Sequence, residues 1–497
     1  MQKKLIIIGS GFSGLSAACY MAKHGWQVTV LEKHNQPGGR ARRIQQHGFT
    51  YDMGPSWYWM PDVMERFFNN FGKKASDYFS LERLDPSYLV HFSNSTISIP
   101  ANYEQLQQLF ESIEPGSAAQ LNAFMSEAKY KYEVGINKLV HKPGLSIVEF
   151  MDIDVFKGIF KLDIFTNMKS HVAKYFKNKQ LQLLLEFPVI FLGAIAANIP
   201  ALYSLMNYAD IKLGTWYPKG GMYCLVQAME QLAVSLGVQF QYNAAVTTIT
   251  INEGIATGVI VNSTSLGDSI VMNAHAVIAS ADYNYVEQQL LQPQWRNYTE
   301  AYWNKQTMAP SCLLYYVGLN KRLDNPVHHQ LFFDADFDNH TQEIYTTKEW
   351  PTNPLFYVSN TTATDSTQAP EGGENLFFLI PIAAGLLGDT EEKRLQYFEQ
   401  ILHRYESITG ESIRNHIVLN INYGTTNFIS DYGAYKGNAY GLANTLLQTA
   451  LLKPSCVNKK VSNLYYTGQL TVPGPGVPPS IISGELVAKL VNTRHST

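Results

Sequence analysis

The chain has 497 residues, which is more than one hydrophobic core usually supports, so two or three domains are expected. The formal net charge is −3 and the sequence has no basic run, which argues against a nucleic-acid partner. The four cysteines are far apart and show no CxxC or metal-ligand spacing, so we expect free thiols and no metal site.

The apolar segments of the chain are too short or too interrupted to serve as membrane spans. The apolar run at residues 5–8 ends at once at Gly9, which is typical of a buried strand rather than a signal peptide. The nearest candidate for a span, residues 181–205, is interrupted by Glu186, Pro188 and later breaks. We therefore expect no transmembrane helix.

A glycine-rich motif opens the chain. A β-rich run at residues 5–8 leads into a turn, residues 15–24 have a helical pattern, and a second β-rich run at residues 28–31 ends at Glu32. The turn itself reads Gly9-Ser10-Gly11-Phe12-Ser13-Gly14.

Each part of this motif has a physical role in binding a dinucleotide. Gly9 permits the tight turn, Gly11 lets backbone N–H groups approach a pyrophosphate, and Gly14 lets the helix pack close to the strand. The helix N-terminus supplies partial positive charge, and Glu32 can accept hydrogen bonds from both ribose hydroxyls. The pattern therefore predicts a dinucleotide site.

The segment after this acidic residue extends the motif. It reads Lys33-His34-Asn35-Gln36-Pro37-Gly38-Gly39-Arg40. Paired glycines allow close backbone contact with a ligand, and Arg40 can pair with a phosphate. This Gly-Gly-Arg extension resembles the extended signature of the glutathione-reductase-like FAD proteins, which simple NAD dehydrogenases lack, and the resemblance implies FAD.

The C-terminal segment combines a strand, a Pro/Gly loop and a helix. Residues 464–466 form a β-rich run that leads into Gly468-Gln469, and residues 481–491 have a helical pattern. The loop between them contains Gly476-Val477-Pro478, and successive prolines suit the start of a helix. Its glycines allow the backbone to pack flat against a ring, and the positive helix end would face a flavin pyrimidine, where negative charge gathers on reduction.

Together these motifs resemble the carotenoid desaturases, a branch of the FAD-dependent, amine-oxidase-like flavoproteins. The resemblance covers nearly the whole chain, and residues 52–61 are especially similar to the bacterial desaturases that act on phytoene. One departure is Gln469-Leu470, where many members have Ala-Gly. The resemblance implies FAD as the cofactor.

The same resemblance implies roles for single residues. In this family the segment that contains Lys33, Gly39 and Arg40 lies along the FAD. The loop Gly54-Pro55-Ser56 is similar to one that lies beside the flavin, and Val246 to a residue whose backbone meets the adenine. The C-terminal residues Gly468, Gln469, Gly476, Val477 and Pro478 resemble the family's flavin loop.

The implied fold class is α/β. A Rossmann-type FAD-binding domain of the glutathione-reductase-like kind is expected to interleave with a mixed α+β substrate domain and a helical membrane-associating region. We expect the FAD-binding domain to comprise residues 1–75, 216–285 and 455–497. The substrate domain would comprise residues 76–215 and 286–454, with residues 100–215 largely helical. A hairpin is predicted from β-rich runs at 246–251 and 255–261.

The implied activity is the desaturation of phytoene, an apolar C40 carotenoid, to lycopene, with oxygen or a quinone as electron acceptor. Two alternatives stay open: a later-pathway desaturase acting on a hydroxylated carotenoid, and a carotenoid isomerase. A flavin-linked amine oxidase would use a C-terminal cysteine, and residues 464–482 contain none. A prenyl-binding escort protein would lose the phosphate-binding residues. No catalytic acid or base can be identified from the sequence.

A hydrocarbon substrate predicts an apolar tunnel and contact with a bilayer. Candidate lining residues are 187–193, with Tyr203, Leu205 and Met206. Residues 154–179 interleave apolar and basic side chains, as in an amphipathic helix that lies in an anionic membrane interface. We therefore expect a peripheral protein at the cytoplasmic face of a membrane.

Overall fold

The computed structural model describes residues 2–150, 162–263 and 269–495. The α-helices of at least six residues are α1 (Phe12–Lys23), α2 (Pro61–Asn69), α3 (Tyr103–Ile113), α4 (Ser117–Val134), α5 (Met168–Tyr175), α6 (Lys179–Glu186), α7 (Tyr223–Ser235), α8 (Glu300–Lys305), α9 (Phe337–Gln342), α10 (Glu391–Thr409), α11 (Thr425–Tyr432) and α12 (Val477–His495). The strands are β1 (Lys4–Ile8), β2 (Gln27–Leu31), β3 (Arg43–Gln46), β4 (Phe49–Asp52), β5 (Leu81–Arg83), β6 (Tyr88–Phe92), β7 (Ser95–Ile99), β8 (Trp216–Pro218), β9 (Gln239–Gln241), β10 (Ala244–Asn252), β11 (Ile255–Ser263), β12 (Ser269–Asn273), β13 (Ala276–Ala279), β14 (Ser311–Leu319), β15 (His329–Phe333), β16 (Phe356–Ser359), β17 (Glu374–Ile382), β18 (Ile417–Tyr423) and β19 (Leu464–Tyr466).

The first large sheet is entirely parallel and has β1 at its centre. Its strand order is β19-β13-β1-β2-β9, so strands from three distant parts of the chain lie side by side. In β1, Leu5 and Ile7 pack into one apolar core, while Ile6 and Ile8 pack into another on the opposite face. Burial of both faces explains why this strand is a continuous apolar run.

Helix α12 packs directly on α1, and glycine allows the contact. A Cβ on Gly484 would lie 2.3 Å from the carbonyl oxygen of Ser13, which leaves no room for a side chain. The hydroxyl of Ser16 also donates to the carbonyl of Ile481 at 2.7 Å. The C-terminal helix is therefore held against the start of the chain.

A smaller antiparallel sheet, β10-β11-β12, is formed by the part of the chain between strands β9 and β13 of the parallel sheet. The predicted hairpin is confirmed, because β10 and β11 pair antiparallel with Asn252 opposite Ile255. Its start runs beside the end of β2, where the N–H of Ala244 donates to the carbonyl of Glu32 at 2.8 Å.

The second large sheet has the strand order β18-β14-β17-β16-β15-β6-β7. Its pairs are antiparallel except β15 with β6, which are parallel. On one face, Leu314 and Tyr316 belong to a core shared with helices α3 to α6. On the other face, Leu313 and Tyr315 pack in a core with α10. The predicted helical part of residues 100–215 therefore covers one side of this sheet.

Two predicted domain boundaries fall inside packed elements. The boundary between residues 285 and 286 lies within one continuous helical segment, since Tyr283–Tyr285 runs directly into Val286–Leu290. The boundary after residue 75 would separate Phe79 from the apolar core of the parallel sheet, into which it packs. Apolar packing against the parallel sheet therefore continues past both predicted boundaries.

The predicted amphipathic helix at residues 154–179 differs from the structure in its described part, and residues 151–161 lie outside the described residues. Helix α5 begins only at Met168 and ends at Tyr175, and α6 starts at Lys179. The side chains of Met168 and Val172 are fully buried in the core beneath the second sheet. Because these two side chains pack on protein, they are not available to lipid, whereas Phe165, just before α5, is 82% exposed. None of the described helices combines the length and apolar character needed to cross a bilayer.

The close contact between α12 and α1 generates a stability prediction. Gly484→Ala should lower the free energy of unfolding by about 1–3 kcal/mol, because the new methyl group overlaps the Ser13 carbonyl. The matched control is Gly11→Ala, since Gly11 has φ −68° and no heavy atom within 4 Å of its Cβ position. Urea denaturation of the apoproteins measures both, and equal stabilities for the two variants would contradict the packing argument.

Candidate cofactor site

The turn between β1 and α1 forms an open concavity at a helix N-terminus. Gly9 has φ +96°, and a Cβ on Gly14 would lie 2.2 Å from the Gly9 carbonyl oxygen. Gly11 is the N-cap of α1, and no side chain caps this end. The space in front of Gly11 is open. Uncapped N–H groups next to open space suit a diphosphate, so the geometry fits the predicted dinucleotide.

Glu32 is held at the end of β2 by hydrogen bonds that the sequence did not reveal. One carboxylate oxygen accepts from the backbone N–H of Ser10 at 2.9 Å and from the Ser10 hydroxyl at 2.8 Å. The other accepts from the N–H of His34 at 3.0 Å. A carboxylate keeps further lone pairs for ribose hydroxyls, so these bonds orient Glu32 without exhausting its acceptor capacity.

The paired glycines return the chain to the glycine-rich turn. The N–H of Gly38 donates to the carbonyl of Ser10 at 2.9 Å. Gly38 and Gly39 have φ values of +111° and +56°, which favour glycine, and a Cβ on Gly39 would lie 3.4 Å from the Cα of Gly11. The second predicted motif is therefore packed on the first.

Arg40 follows these glycines and connects three segments. Its guanidinium donates to the carbonyl of Asn438 at 3.3 Å, lies 5.3 Å from the ring centre of Tyr432, and lies 4.0 Å from the carboxylate of Asp282. The amide of Gln469, with its oxygen toward Arg40, lies 3.1 and 3.2 Å from the two terminal nitrogens. Burial lowers the pKa of Arg40, and the Asp282 carboxylate partly offsets this effect. The unusual Gln469 thus contacts the predicted phosphate-pairing arginine.

The loop that contains Gly54 lies against the same segment, because a Cβ on Gly54 would lie 2.4 Å from the Arg40 carbonyl oxygen. Just before it, Asp52 accepts from the N–H groups of Met222 and Tyr223 at 2.7 and 2.8 Å. Burial raises the pKa of Asp52 to about 6. This carboxylate joins the start of α7 to the predicted flavin loop.

The C-terminal loop closes the site from another side. A Cβ on Gly468 would lie 3.3 Å from the Ser13 hydroxyl, and the Gly468 N–H donates to the Ser483 hydroxyl at 3.1 Å. Gly476 has φ +113° and precedes α12, which begins with Val477 and Pro478. The structure therefore brings Gly468 to the glycine-rich turn.

Several predicted residues are placed less directly at this site. The ammonium of Lys33 donates to the carbonyl of Ser430, so this side chain contacts α11. The side chain of Phe12 is buried in the apolar core, so only its backbone lies at the helix start. Val246 pairs with Val261 within the antiparallel sheet.

Other residues were missed because their partners are distant in sequence. Asn438 is fully buried, and its amide oxygen accepts from the N–H of Gly441 at 2.8 Å. Its side chain also contacts the Gln469 amide at 3.0 Å. No spacing in the sequence indicates this residue. The position of Asp282, directly after a buried strand, was a usable signal.

The open space before Gly11 gives a direct test of the site. Gly11→Val should abolish flavin binding, because its side chain points into the space that a pyrophosphate would occupy, while the fold stays intact. Flavin absorbance of the purified protein at about 450 nm measures the bound cofactor, and circular dichroism controls for folding. A folded Gly11→Val protein with full flavin content would contradict the assignment.

Comparison with known proteins identifies the family. A model of the flavin containing amine oxidoreductases matches residues 12–492. A carotenoid 3,4-desaturase from Haloarcula japonica is 39% identical over 486 residues, which cover 97% of each chain. A zeta-carotene-forming phytoene desaturase from Myxococcus xanthus is 30% identical over 496 residues, covering 99% of this chain and 94% of the relative.

Solved structures support the fold. A putrescine oxidase is similar with a TM-score of 0.62 and 15% identity, covering 99% of both chains. An oxidoreductase from Methanosarcina mazei also has a TM-score of 0.62 and 15% identity, covering 98% of this chain and 100% of the other. With the family match over nearly its whole length, the chain belongs to the flavin containing amine oxidoreductases and is a FAD-dependent oxidoreductase of the carotenoid desaturase family, acting on CH–CH groups.

Proposed function

We propose that this chain desaturates phytoene stepwise to lycopene. Bound FAD would supply the oxidising chemistry by accepting a hydride from an allylic C–H, while a base or water would take the proton from the adjacent carbon. Oxygen or a quinone would then reoxidise the flavin as final electron acceptor. The proposal draws on the relative named as a phytoene desaturase. The observation that carries it is an aromatic, apolar region that begins next to the predicted flavin loop.

This region is built around Trp57, which directly follows the flavin-loop residue Ser56. The Trp57 ring lies 5.5 Å from Tyr357 and 6.2 Å from Phe187, measured between ring centres. It also stacks on His329 at 4.2 Å. Phe187 belongs to the predicted substrate lining, so the flavin loop and the lining are neighbours. Apolar and aromatic walls suit a hydrocarbon, which offers no polar group for recognition.

The apolar region continues along residues 187–193 toward the segment 443–449. The Tyr345 hydroxyl donates to the carbonyl of Ile190 at 2.7 Å, and the N–H of Asn444 donates to the carbonyl of Leu192 at 2.8 Å. Farther along, the hydroxyls of Tyr203 and Thr449 lie 3.4 Å apart. An extended region of this kind suits a long linear substrate.

A second candidate is 3,4-desaturation of a hydroxylated carotenoid, and one specific feature favours it. The hydroxyl of Tyr51, which is only 3% exposed, has no hydrogen-bond partner among the described residues. It lines a small cavity with Ser56, Thr361 and Asn375. A substrate hydroxyl would satisfy such a buried donor. The relative from Haloarcula japonica is named a carotenoid 3,4-desaturase.

Product analysis distinguishes the two candidates. Holoenzyme in liposomes with phytoene should lose flavin absorbance at about 450 nm without oxygen, regain it with oxygen or a quinone, and accumulate lycopene. Tyr51→Phe should leave this conversion within about twofold of the original protein, because a hydrocarbon cannot bond the hydroxyl.

Three results would redirect the assignment. Unchanged phytoene together with oxidation of a hydroxylated carotenoid, weakened by Tyr51→Phe, would establish the second candidate. A product with rearranged but no new double bonds would indicate an isomerase. Unchanged phytoene in vesicles that the protein binds would exclude phytoene as the substrate.

We also propose that the protein docks peripherally on the cytoplasmic face of a membrane, from which it takes its substrate. Two described segments expose apolar side chains next to each other, because a Cβ on Gly144 would lie 3.2 Å from the carbonyl oxygen of Ala450. We call this surface the leucine patch, and its exposed members are Leu145, Val148, Leu446, Leu447 and Leu452. It lies at the 443–449 end of the apolar region, and exposed apolar side chains on neighbouring segments suit insertion into lipid.

The leucine patch predicts the behaviour of a double variant. Leu447→Glu with Leu452→Glu should reduce co-sedimentation with anionic vesicles several-fold and leave flavin content unchanged, because charge opposes burial in lipid. Leu387→Glu is the matched control, since Leu387 is 89% exposed and lies outside the patch. Equal sedimentation of the double variant and the control would remove the patch as the docking surface.

A further inference from the structure

Lys453 is a buried cation without an anionic partner in the described part of the chain. It is 5% exposed, and its ammonium donates to the amide oxygen of Asn444 at 2.8 Å. No carboxylate among the described residues lies within ion-pair distance. One neutral acceptor compensates little of the cost of burying a charge, so this lysine calls for an explanation.

The ammonium lies against the C-terminal loop that is predicted to carry the flavin. It is 3.3 Å from the position that a Cβ would occupy on Gly474, and the Asn444 oxygen is 3.2 Å from the same position. The Thr471 hydroxyl donates to the carbonyl of Pro454 at 2.6 Å. Because Pro454 directly follows Lys453, this bond holds the lysine segment against the loop. Asn444 also contacts the predicted substrate lining through Leu192.

Burial lowers the pKa of Lys453 to about 7, and burial is the sole cause of this shift. The titratable groups on segments packed nearby include Cys456 on its own segment, Tyr203 beside Thr449, and Lys142 and Glu149 on the segment that contacts Ala450. The carboxylate of Glu149 accepts instead from the N–H groups of residues 144–146. A new anion beside Lys453 would therefore restore its positive charge.

We infer that Lys453 is the positive charge that stabilises the negative charge gained by the bound flavin on reduction, and that it thereby raises the redox potential of the flavin. The inference rests on the proposed placement of the cofactor along the loop from Gly468 to Pro478. Lys453 would act only through its charge and would transfer neither a proton nor another group to the substrate. Its role would complement the positive end of α12.

This role has a signature in the pH dependence of the potential. Above about pH 7 the oxidised protein holds Lys453 increasingly neutral, whereas reduction favours its protonated form. Reduction should then take up one additional proton in that range. One proton changes the equilibrium tenfold per pH unit, which is about 30 mV for a two-electron couple. Below this range Lys453 is already charged, so the additional slope disappears.

The test measures the midpoint potential of the holoenzyme between about pH 6 and pH 9 by anaerobic equilibration with reference dyes. Lys453→Met should lower the potential and lose the additional slope. Lys453→Arg should keep a potential at or above the original value without that slope, since arginine stays charged. The exposed Lys459→Met is the matched control and should match the original protein.

Each alternative gives a different result. Lys453→Met with full flavin content and an unchanged potential would overturn the inference, and so would Lys453→Arg with the potential of the Met variant. If Lys453→Met fails to retain FAD, Lys453→Arg tests the inference instead. A positive charge at this position predicts that the Arg variant keeps the original potential and loses the additional pH slope. The measurement needs no carotenoid, so an inactive enzyme with these potentials would reject the proposed substrate and leave the role of Lys453 standing.

Discussion

The cofactor site depends on close backbone contact around the first turn of α1. Gly14 lies on the carbonyl of Gly9, Gly39 on Gly11, and Gly468 and Gly484 on Ser13. These contacts bring together segments from both ends of the chain, and a side chain at most of these points would separate them. The segments can therefore approach closely because these positions carry no Cβ atom, while polar side chains such as Glu32 supply hydrogen-bond acceptors for the ligand.

This constraint explains which features were predictable from sequence. The glycine-rich turn, Glu32 and the hairpin are local patterns, so spacing alone indicated them. Asn438 was not predictable, because its contacts to Gln469 and Arg40 arise only when distant segments meet. Among the described residues 162–179, the predicted helix was wrong in its bounds and in the exposure of Met168, since an apolar stripe has the same periodicity whether it faces lipid or, like Met168 in α5, a protein core.

The second sheet gives the site its other wall. Its β15 and β16 place His329 and Tyr357 around Trp57, and Tyr357 donates to the Ser56 hydroxyl at 3.0 Å. One hydrogen bond thus ties the predicted flavin loop to the second sheet. Because Trp57 is the residue after Ser56, a shift of the loop would also move Trp57 relative to His329 and Tyr357.

The charged side chains of the site differ in whether the protein itself supplies their partners. Glu32 is buried and Asp52 is half-buried, each with two or more donors, and Arg40 lies near the Asp282 carboxylate. Hydrogen bonds or an opposite charge within the protein balance these charged groups, which hold the segments of the site in place. Lys453 has only the Asn444 amide among the described residues. A buried charge that costs folding free energy is understandable when another state of the holoenzyme supplies its counter-ion. A reduced flavin bound along this loop, as proposed, would supply that anion.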